Sequence, residues 1–139
     1  MVAKSDTFRN NMAGDNMKDN ILIDKSIDFG ARIVKLHLYL VKTKHETVIS
    51  KQILRSGTSI GANINEAQYG NCKADFIAKL HIALKEAAET EYWLHIWGKT
   101  DYLDTNMASS VLNDSLEIKR ILIASINTAK QKEGKNNEP

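Results

Sequence analysis

Residues 21–41 read ILIDKSIDFGARIVKLHLYLV, a stretch in which apolar residues recur at the three- and four-residue spacing of an α-helix. The stretch contains two adjacent apolar stripes, the first formed by Ile23, Ile27, Ala31, Val34, Leu38 and Val41 and the second by Phe29, Ile33, Leu36 and Leu40. The spacing predicts a helix over residues 20–44. Because the two stripes together are wider than one neighbouring helix covers, we expect this helix to be packed on both sides.

Three further segments carry the same helical period. They predict helices over residues 48–69, 72–98 and 104–130, and the single proline, Pro139, lies beyond all of them. Four long helices joined by short loops favour an all-α, antiparallel, up-down-up-down four-helix bundle over residues 20–131. Residues 1–19 are polar and lack a period, which predicts a disordered extension or a true start at Met17. Residues 132–139 are expected to form a frayed tail.

The composition argues against several classes of protein. Nineteen Lys and Arg residues against seventeen Asp and Glu residues give a net charge of +2, so the total charge indicates neither a nucleic acid nor an acidic membrane as partner. One cysteine, Cys72, cannot form an internal disulfide, and the four histidines lack ligand spacing, so we expect no metal and no cofactor. No signal peptide and no apolar run of about 18 residues is present. We therefore expect a cytoplasmic protein without membrane insertion.

Several segments resemble one protein family. Residues 52–67, QILRSGTSIGANINEA, closely resemble the central motif of the 23S ribosomal RNA intervening-sequence proteins, which are four-helix bundles. The segments RIVKL at 32–36, DFI at 75–77, IALKEA at 82–87 and ETEYWL at 89–94 are similar to that family as well. Two positions depart from the family pattern, because Asn65 replaces a frequent acidic residue and His37 replaces a common tyrosine. No role is therefore assigned to an acidic pair at 65 and 66.

The resemblance implies a bacterial protein encoded within insertions in 23S rRNA genes or elsewhere in the genome. Related proteins serve diversity-generating retroelements as accessory factors to a reverse transcriptase, and nucleic-acid binding is the role usually proposed. The resemblance also implies a ring-like homopentamer. An oligomer is expected independently, because the first helix carries surplus apolar surface and the third carries Ile77, Leu84 and Trp93 off its main seam.

Four polar residues share one face of the second predicted helix: Arg55, Ser59, Asn63 and Glu66. If the second and third helices are antiparallel about the turn at 70–72, Arg55 lies level with Glu86, Gln52 with Glu89 and Asn63 with Lys79. We interpret these residues, including Glu86 and Glu89, as a structural polar network that fixes the helix register. A nucleic-acid or active-site role for the stripe is the alternative.

Charge is distributed unevenly along the chain. Between residues 32 and 55 six basic residues oppose only Glu46, a net of +5, and between residues 66 and 117 nine acids oppose four lysines, a net of −5. The late first helix and early second helix are therefore expected to form a basic end that binds phosphates of RNA or DNA and repeats around an oligomer. The predicted nucleic-acid-binding residues are Arg32, Lys35, Lys42, Lys44 and Lys51.

Three functions follow from these features. The leading hypothesis is a non-catalytic oligomeric adaptor that binds structured RNA, associated with 23S rRNA. The alternative is a protein–protein interaction module, such as a polymerase accessory factor, without its own nucleic-acid contact. The third is a ribonuclease, because Arg32 and His37 match the R-x4-H spacing of a class of four-helix RNases. Residues five apart on a helix lie about 140° apart, and Ile33 replaces a usually polar residue, so we expect no enzymatic activity.

Overall fold

The computed structural model describes residues 16–137, with side chains described for residues 20–132. It contains the helices α1 (Asn16–Thr43), α2 (Val48–Ala67), α3 (Lys73–Lys99) and α4 (Thr105–Asn137). Each helix packs against the next one in the chain, and α4 returns to contact α1, so the four helices surround one central core. The predicted antiparallel four-helix bundle is confirmed.

The two terminal helices are longer than the sequence pattern predicts. Helix α1 begins four residues before the expected residue 20, and α4 continues to Asn137 instead of ending near residue 130. Nothing between 130 and Pro139 breaks a helix as proline does, which explains the longer α4. Of the predicted disordered extension, residues 16–19 belong to α1 and residues 1–15 lie outside the described residues, as do 138 and 139 of the predicted tail.

Every helix contributes apolar side chains to the core. In α2 and α3 the apolar residues at helical spacing are buried, with at most 1% of each residue exposed for Ile53, Ile60, Ile64, Ala67, Phe76, Leu80, Ala83, Ala87 and Leu94, and Ile49 is partly buried. Helix α4 adds Val111, Ile118, Leu122 and Ile126. The correct period therefore identified most of the inward-facing positions.

The two apolar stripes of α1 have opposite environments. Phe29, Ile33, Leu36 and Leu40 are buried in the core. The other stripe faces outward, leaving Ile27 55%, Val34 41% and Leu38 46% exposed. Within one chain, α1 packs against both α2 and α4. These two helices leave most of the first stripe uncovered, so the expectation that neighbours cover both stripes is wrong for the monomer.

The surplus apolar surface expected on α3 is also smaller than predicted. Ile77 is buried, and Leu84 and Trp93 are partly buried against the core. These side chains contribute to the hydrophobic core of the monomer because α3 packs against both α2 and α4. Ile23, at the start of the first stripe of α1, is partly buried against the core. The remaining residues of that stripe, Ile27, Ala31, Val34, Leu38 and Val41, are hereafter called the outer stripe.

Two glycines bring α1 and α2 close together. A Cβ atom on Gly57 would lie 3.0 Å from the side chain of Ile33, and one on Gly61 would lie 3.3 Å from the carbonyl oxygen of Ser26. The missing side chains of both glycines therefore allow α1 and α2 to approach closely. The seam between α1 and α4 is the sparsest of the four helix contacts, and a groove opens there.

Candidate nucleic-acid interface

The turn between α1 and α2 forms the centre of the predicted basic end. The amides of Lys44 and Glu46 both donate hydrogen bonds to the carbonyl oxygen of Leu40, at 3.1 Å each, and His45 has a φ of 57°. The carbonyl oxygen of Leu40, one of those that the end of α1 leaves without a helical partner, is thereby satisfied, and the chain leaves the helix through a left-handed residue. The turn is therefore short and internally bonded, which fixes Lys44 at the end of the bundle.

Glu46, the one acid of this segment, is used to begin α2. Its carboxylate accepts hydrogen bonds from the amides of Val48 at 3.0 Å, Ile49 at 2.8 Å and Ser50 at 2.8 Å. The Ser50 hydroxyl donates to the Glu46 carbonyl oxygen at 2.9 Å. Glu46 is buried, and three free amides of the helix N-terminus compensate its negative charge. Its carboxylate is therefore held by the backbone and forms no ion pair with a lysine among the described residues.

Four of the predicted phosphate-binding side chains point into solvent. Lys35, Lys42, Lys44 and Lys51 are exposed, and none of them forms an ion pair with another described residue. The loop between α3 and α4 adds two acids, Asp101 and Asp104, at the same end of the bundle. The surplus of free cations thus belongs to the α1 and α2 side of that end.

Arg32, the fifth predicted phosphate-binding residue, is engaged within the chain. Its guanidinium donates to the carboxylate of Asp114 at 2.6 Å and to the hydroxyl of Ser110 at 2.8 Å. These bonds join α1 to α4 across their sparse seam. Arg32 is therefore less available to a phosphate than the four lysines, although its side chain remains 32% exposed.

The polar stripe on α2 is satisfied inside the chain. Arg55 forms ion pairs with Glu86, at 3.3 Å, and with Glu89, so the predicted contact between Arg55 and Glu86 is confirmed. Ser59 and Asn63 donate to carbonyl oxygens one turn earlier in α2, at 2.6 and 2.8 Å. These bonds favour the structural interpretation of the stripe.

The side chains of Glu89 and Lys79 form ion pairs with residues other than those predicted to lie level with them. Glu89 contacts Arg55 instead of Gln52, and Lys79 contacts Glu66, at 2.8 Å, instead of Asn63. Long charged side chains reach along the helix, so their ion pairs need not join residues that lie level. Sequence reasoning missed one buried pair, in which the Thr90 hydroxyl donates to the Ser56 hydroxyl at 2.9 Å. A serine and a threonine at core-facing positions of facing helices were its only signal.

The two residues of the ribonuclease hypothesis have separate surroundings. Arg32 is bonded to α4, whereas the Nδ1 atom of His37 is buried without a hydrogen-bond partner in the described part of the chain. On a straight helix the two positions lie about 140° apart. Among the described residues, no cluster of His, Cys, Asp and Glu side chains has the arrangement of a metal site. The described helices also include none long and apolar enough to span a bilayer.

Comparison with known proteins agrees with this architecture. The family model of the 23S rRNA-intervening sequence protein matches residues 18–124. A crystal structure at 1.70 Å of a protein of unknown function, from the S23 ribosomal protein family of Bacteroides thetaiotaomicron VPI-5482, is 55% identical. That similarity covers 79% of this chain and 98% of the other, with a TM-score of 0.78. No curated protein matches the sequence. The match over most of the chain shows that it belongs to the 23S rRNA-intervening sequence protein family.

Proposed function

We propose that this protein is a non-catalytic, oligomeric adaptor that binds structured RNA through the basic end of its bundle. The observation that carries the proposal is the set of exposed, unpaired lysines Lys42, Lys44 and Lys51 beside an acid, Glu46, whose charge is bound by backbone amides. Lysines without protein partners can neutralise phosphates without first breaking an ion pair. A protein with this role would act in the cytoplasm, together with ribosomal RNA.

Oligomerisation would multiply this basic end. Residues 27, 31, 34, 38 and 41 of the outer stripe are spaced by four, three, four and three, which is the seam spacing of helices that pack side by side. Large exposed aliphatic side chains on the same seam are unusual on a monomer. We propose that the outer stripe packs against another copy of the chain. The family resemblance favours a closed homopentamer, in which five basic ends would lie on one rim.

The RNA-binding proposal is tested with two variants of equal charge. The first carries Lys42→Glu, Lys44→Glu and Lys51→Glu. The control carries Lys73→Glu, Lys85→Glu and Lys130→Glu, which lie away from the basic end. Each variant changes the net charge by six units, from +2 to −4. Affinity for a hairpin fragment of 23S rRNA is measured by fluorescence anisotropy over a series of salt concentrations.

The first variant should bind the hairpin at least about 100-fold more weakly. The slope of the logarithm of its binding constant against the logarithm of the salt concentration should decrease in magnitude by about one for each lost phosphate contact. The control should lose much less, because it changes long-range attraction alone. The proposed interface would be refuted if both variants lost the same affinity for the hairpin. It would also be refuted if the affinity of the wild-type chain did not change with salt concentration.

The exposed outer stripe also favours a second candidate function, a docking module for another protein such as a polymerase. The double variant Val34→Glu, Leu38→Glu tests whether the outer stripe binds another copy of the chain or a different protein. If it mediates self-association, light scattering should fall from about 78 kDa, five times the 15.6 kDa chain, towards 15.6 kDa. If the wild-type chain already has a mass of 15.6 kDa, self-association is wrong, and the stripe remains available to a different partner.

A further inference from the structure

A groove of about 330 Å³ lies between the second half of α1 and the first turns of α4. Its walls are mostly apolar, and the residues lining it include Arg32, Lys35, Tyr39, Leu103, Asp104 and Met107. Two large side chains of these walls, Tyr39 and Met107, remain 46% and 45% exposed. The groove lies beside the proposed basic end, since Lys35 lines it.

We propose that this groove binds one unpaired nucleobase of the RNA, with the ring of Tyr39 as the stacking surface. The inference rests on the proposed RNA-binding function and adds the form of RNA that is recognised. A base stacks on an aromatic ring through its flat face, and the single-stranded loops of structured RNA offer such unstacked bases. The base of a continuous duplex is held by its pair and cannot enter.

The charges around the groove favour a nucleotide over an apolar peptide. Lys35, Tyr39 and Lys42 are separated by four and three residues, so they share one flank of α1, and the two lysines bracket the tyrosine over about 10 Å. Both lysines are exposed and lack ion pairs among the described residues. A base on Tyr39 would place its own phosphates near these ammonium groups, which a purely apolar occupant would not use.

Two side chains of the groove, Arg32 and Met107, are held by contacts within the chain. One guanidinium nitrogen of Arg32 lies 3.7 Å from the sulfur of Met107, while its partner nitrogen is held by Asp114. The thioether therefore has a fixed neighbour at the groove wall opposite Tyr39. Such a preformed slot lowers the cost of ordering side chains when a base enters.

Asp104 adds a preference among bases. Its carboxylate lines the groove and is exposed, with one oxygen in a long hydrogen bond, 3.4 Å, to the amide of Asn106. A carboxylate accepts hydrogen bonds, so it suits cytosine, adenine or guanine, which carry an amino group, better than uracil, which has none. The groove should therefore favour amino-bearing bases.

The groove and the outer stripe need not compete for the same surface. Tyr39 follows Leu38 of the outer stripe directly, so its position lies about 100° further around α1, towards α4. A second copy of the chain on the outer stripe leaves the α4 side of α1 open. Base binding and self-association can thus occur in the same particle.

The test uses fluorescein-labelled single-stranded 12-nucleotide oligo(C) and a blunt 12-base-pair RNA duplex, with dissociation constants measured by anisotropy. Tyr39→Ala should weaken oligo(C) binding by about 5- to 150-fold and leave duplex binding within about twofold. Tyr39→Phe, which keeps the ring, should restore binding. Tyr92→Ala is the matched control, because Tyr92 is 57% exposed on α3 and does not line the groove.

The outcomes separate this inference from the proposed function. If Tyr39→Ala leaves oligo(C) binding unchanged while the Lys42, Lys44 and Lys51 variant still loses hairpin RNA, the groove proposal is wrong and the interface remains. If the lysine variant also binds normally, the proposed function is wrong as well. If Tyr39→Ala instead dissociates the oligomer, the groove holds a protein segment and not a base.

The base preference has its own variant. Asp104→Asn keeps a good helix N-cap, so α4 should begin normally. It should narrow the preference for oligo(C) over oligo(U) by about threefold to tenfold, because an amide oxygen accepts from the amino group less strongly than a carboxylate. An equal affinity of the wild-type chain for oligo(C) and oligo(U) would exclude the role of Asp104.

Discussion

The two faces of α1 are built from similar side chains and have opposite roles. On the inner face, Ile33 is completely buried, whereas Val34, the next residue, is 41% exposed on the outer stripe. Burying an aliphatic side chain of this size contributes about 1.5–3 kcal/mol, and only the inner face gains it within one chain. The comparison shows that composition makes a face able to pack, while the neighbouring helices decide which face does so. The inner face stabilises the fold, and the outer one remains available for association.

Truncating adjacent residues should separate the two faces most clearly. Ile33→Ala should lower the free energy of unfolding by about 3–4 kcal/mol, because it removes three buried carbons and leaves a cavity beside α2. Val34→Ala should change the stability of the monomer by no more than about 0.5 kcal/mol. Urea unfolding, followed by circular dichroism at low protein concentration, measures both values.

Protein concentration provides the control for this pair. If the outer stripe joins copies of the chain, the effect of Val34→Ala should grow at concentrations where the oligomer forms, while that of Ile33→Ala stays nearly constant. Similar losses for both variants in the isolated monomer would contradict the assignment of inner and outer faces.

The space between Ile33 and α2 can also be tested by adding a side chain instead of removing one. Gly57→Val should destabilise the fold by about 2 kcal/mol, because even its Cβ would lie 3.0 Å from Ile33 and the added methyl groups need further space. Combined with Ile33→Ala, the same substitution should cost less than the sum of the two single effects, since the valine occupies part of the vacated volume. Strict additivity in this double-mutant cycle would show that the helices do not meet closely at Gly57.

The sequence predicts some parts of the molecule correctly for physical reasons. The period of hydrophobic residues fixes where helices form, and the short turn at 70–72 fixes the register of α2 against α3 well enough to predict the contact between Arg55 and Glu86. The pair of Arg32 and Asp114 was not predicted, because 82 residues separate them and no short turn sets the register of α1 against α4.

The sequence of α1 alone also does not predict which of its two stripes faces the core. Both stripes of this helix satisfy the helical period, so periodicity does not distinguish the buried one. The distinction comes from α2, where Gly57 and Gly61 make room for Ile33 and Ser26. For the candidate interface, charge counting predicted five cations, of which the four lysines lack ion pairs among the described residues and Arg32 is paired with Asp114. The groove at Tyr39 depends on the spacing of α1 and α4, which the sequence does not give.

A substitution with a small stabilising effect tests the function of the outer side of α1. A Cβ on Gly30 would meet nothing within 4 Å, and the residue has no positive φ, so a single chain gives no steric reason for glycine there. Gly30→Ala should therefore stabilise the monomer by about 0.5–1 kcal/mol through helix propensity. Gly30 lies three residues after Ile27 and four before Val34, beside the outer stripe, where a glycine permits close approach of another backbone. If a second copy packs there, Gly30→Ala should raise the free energy of unfolding of the monomer and also weaken self-association. Analytical ultracentrifugation measures the self-association constant. A variant that stabilises the monomer without changing self-association would show that the contact between copies lies elsewhere on the bundle.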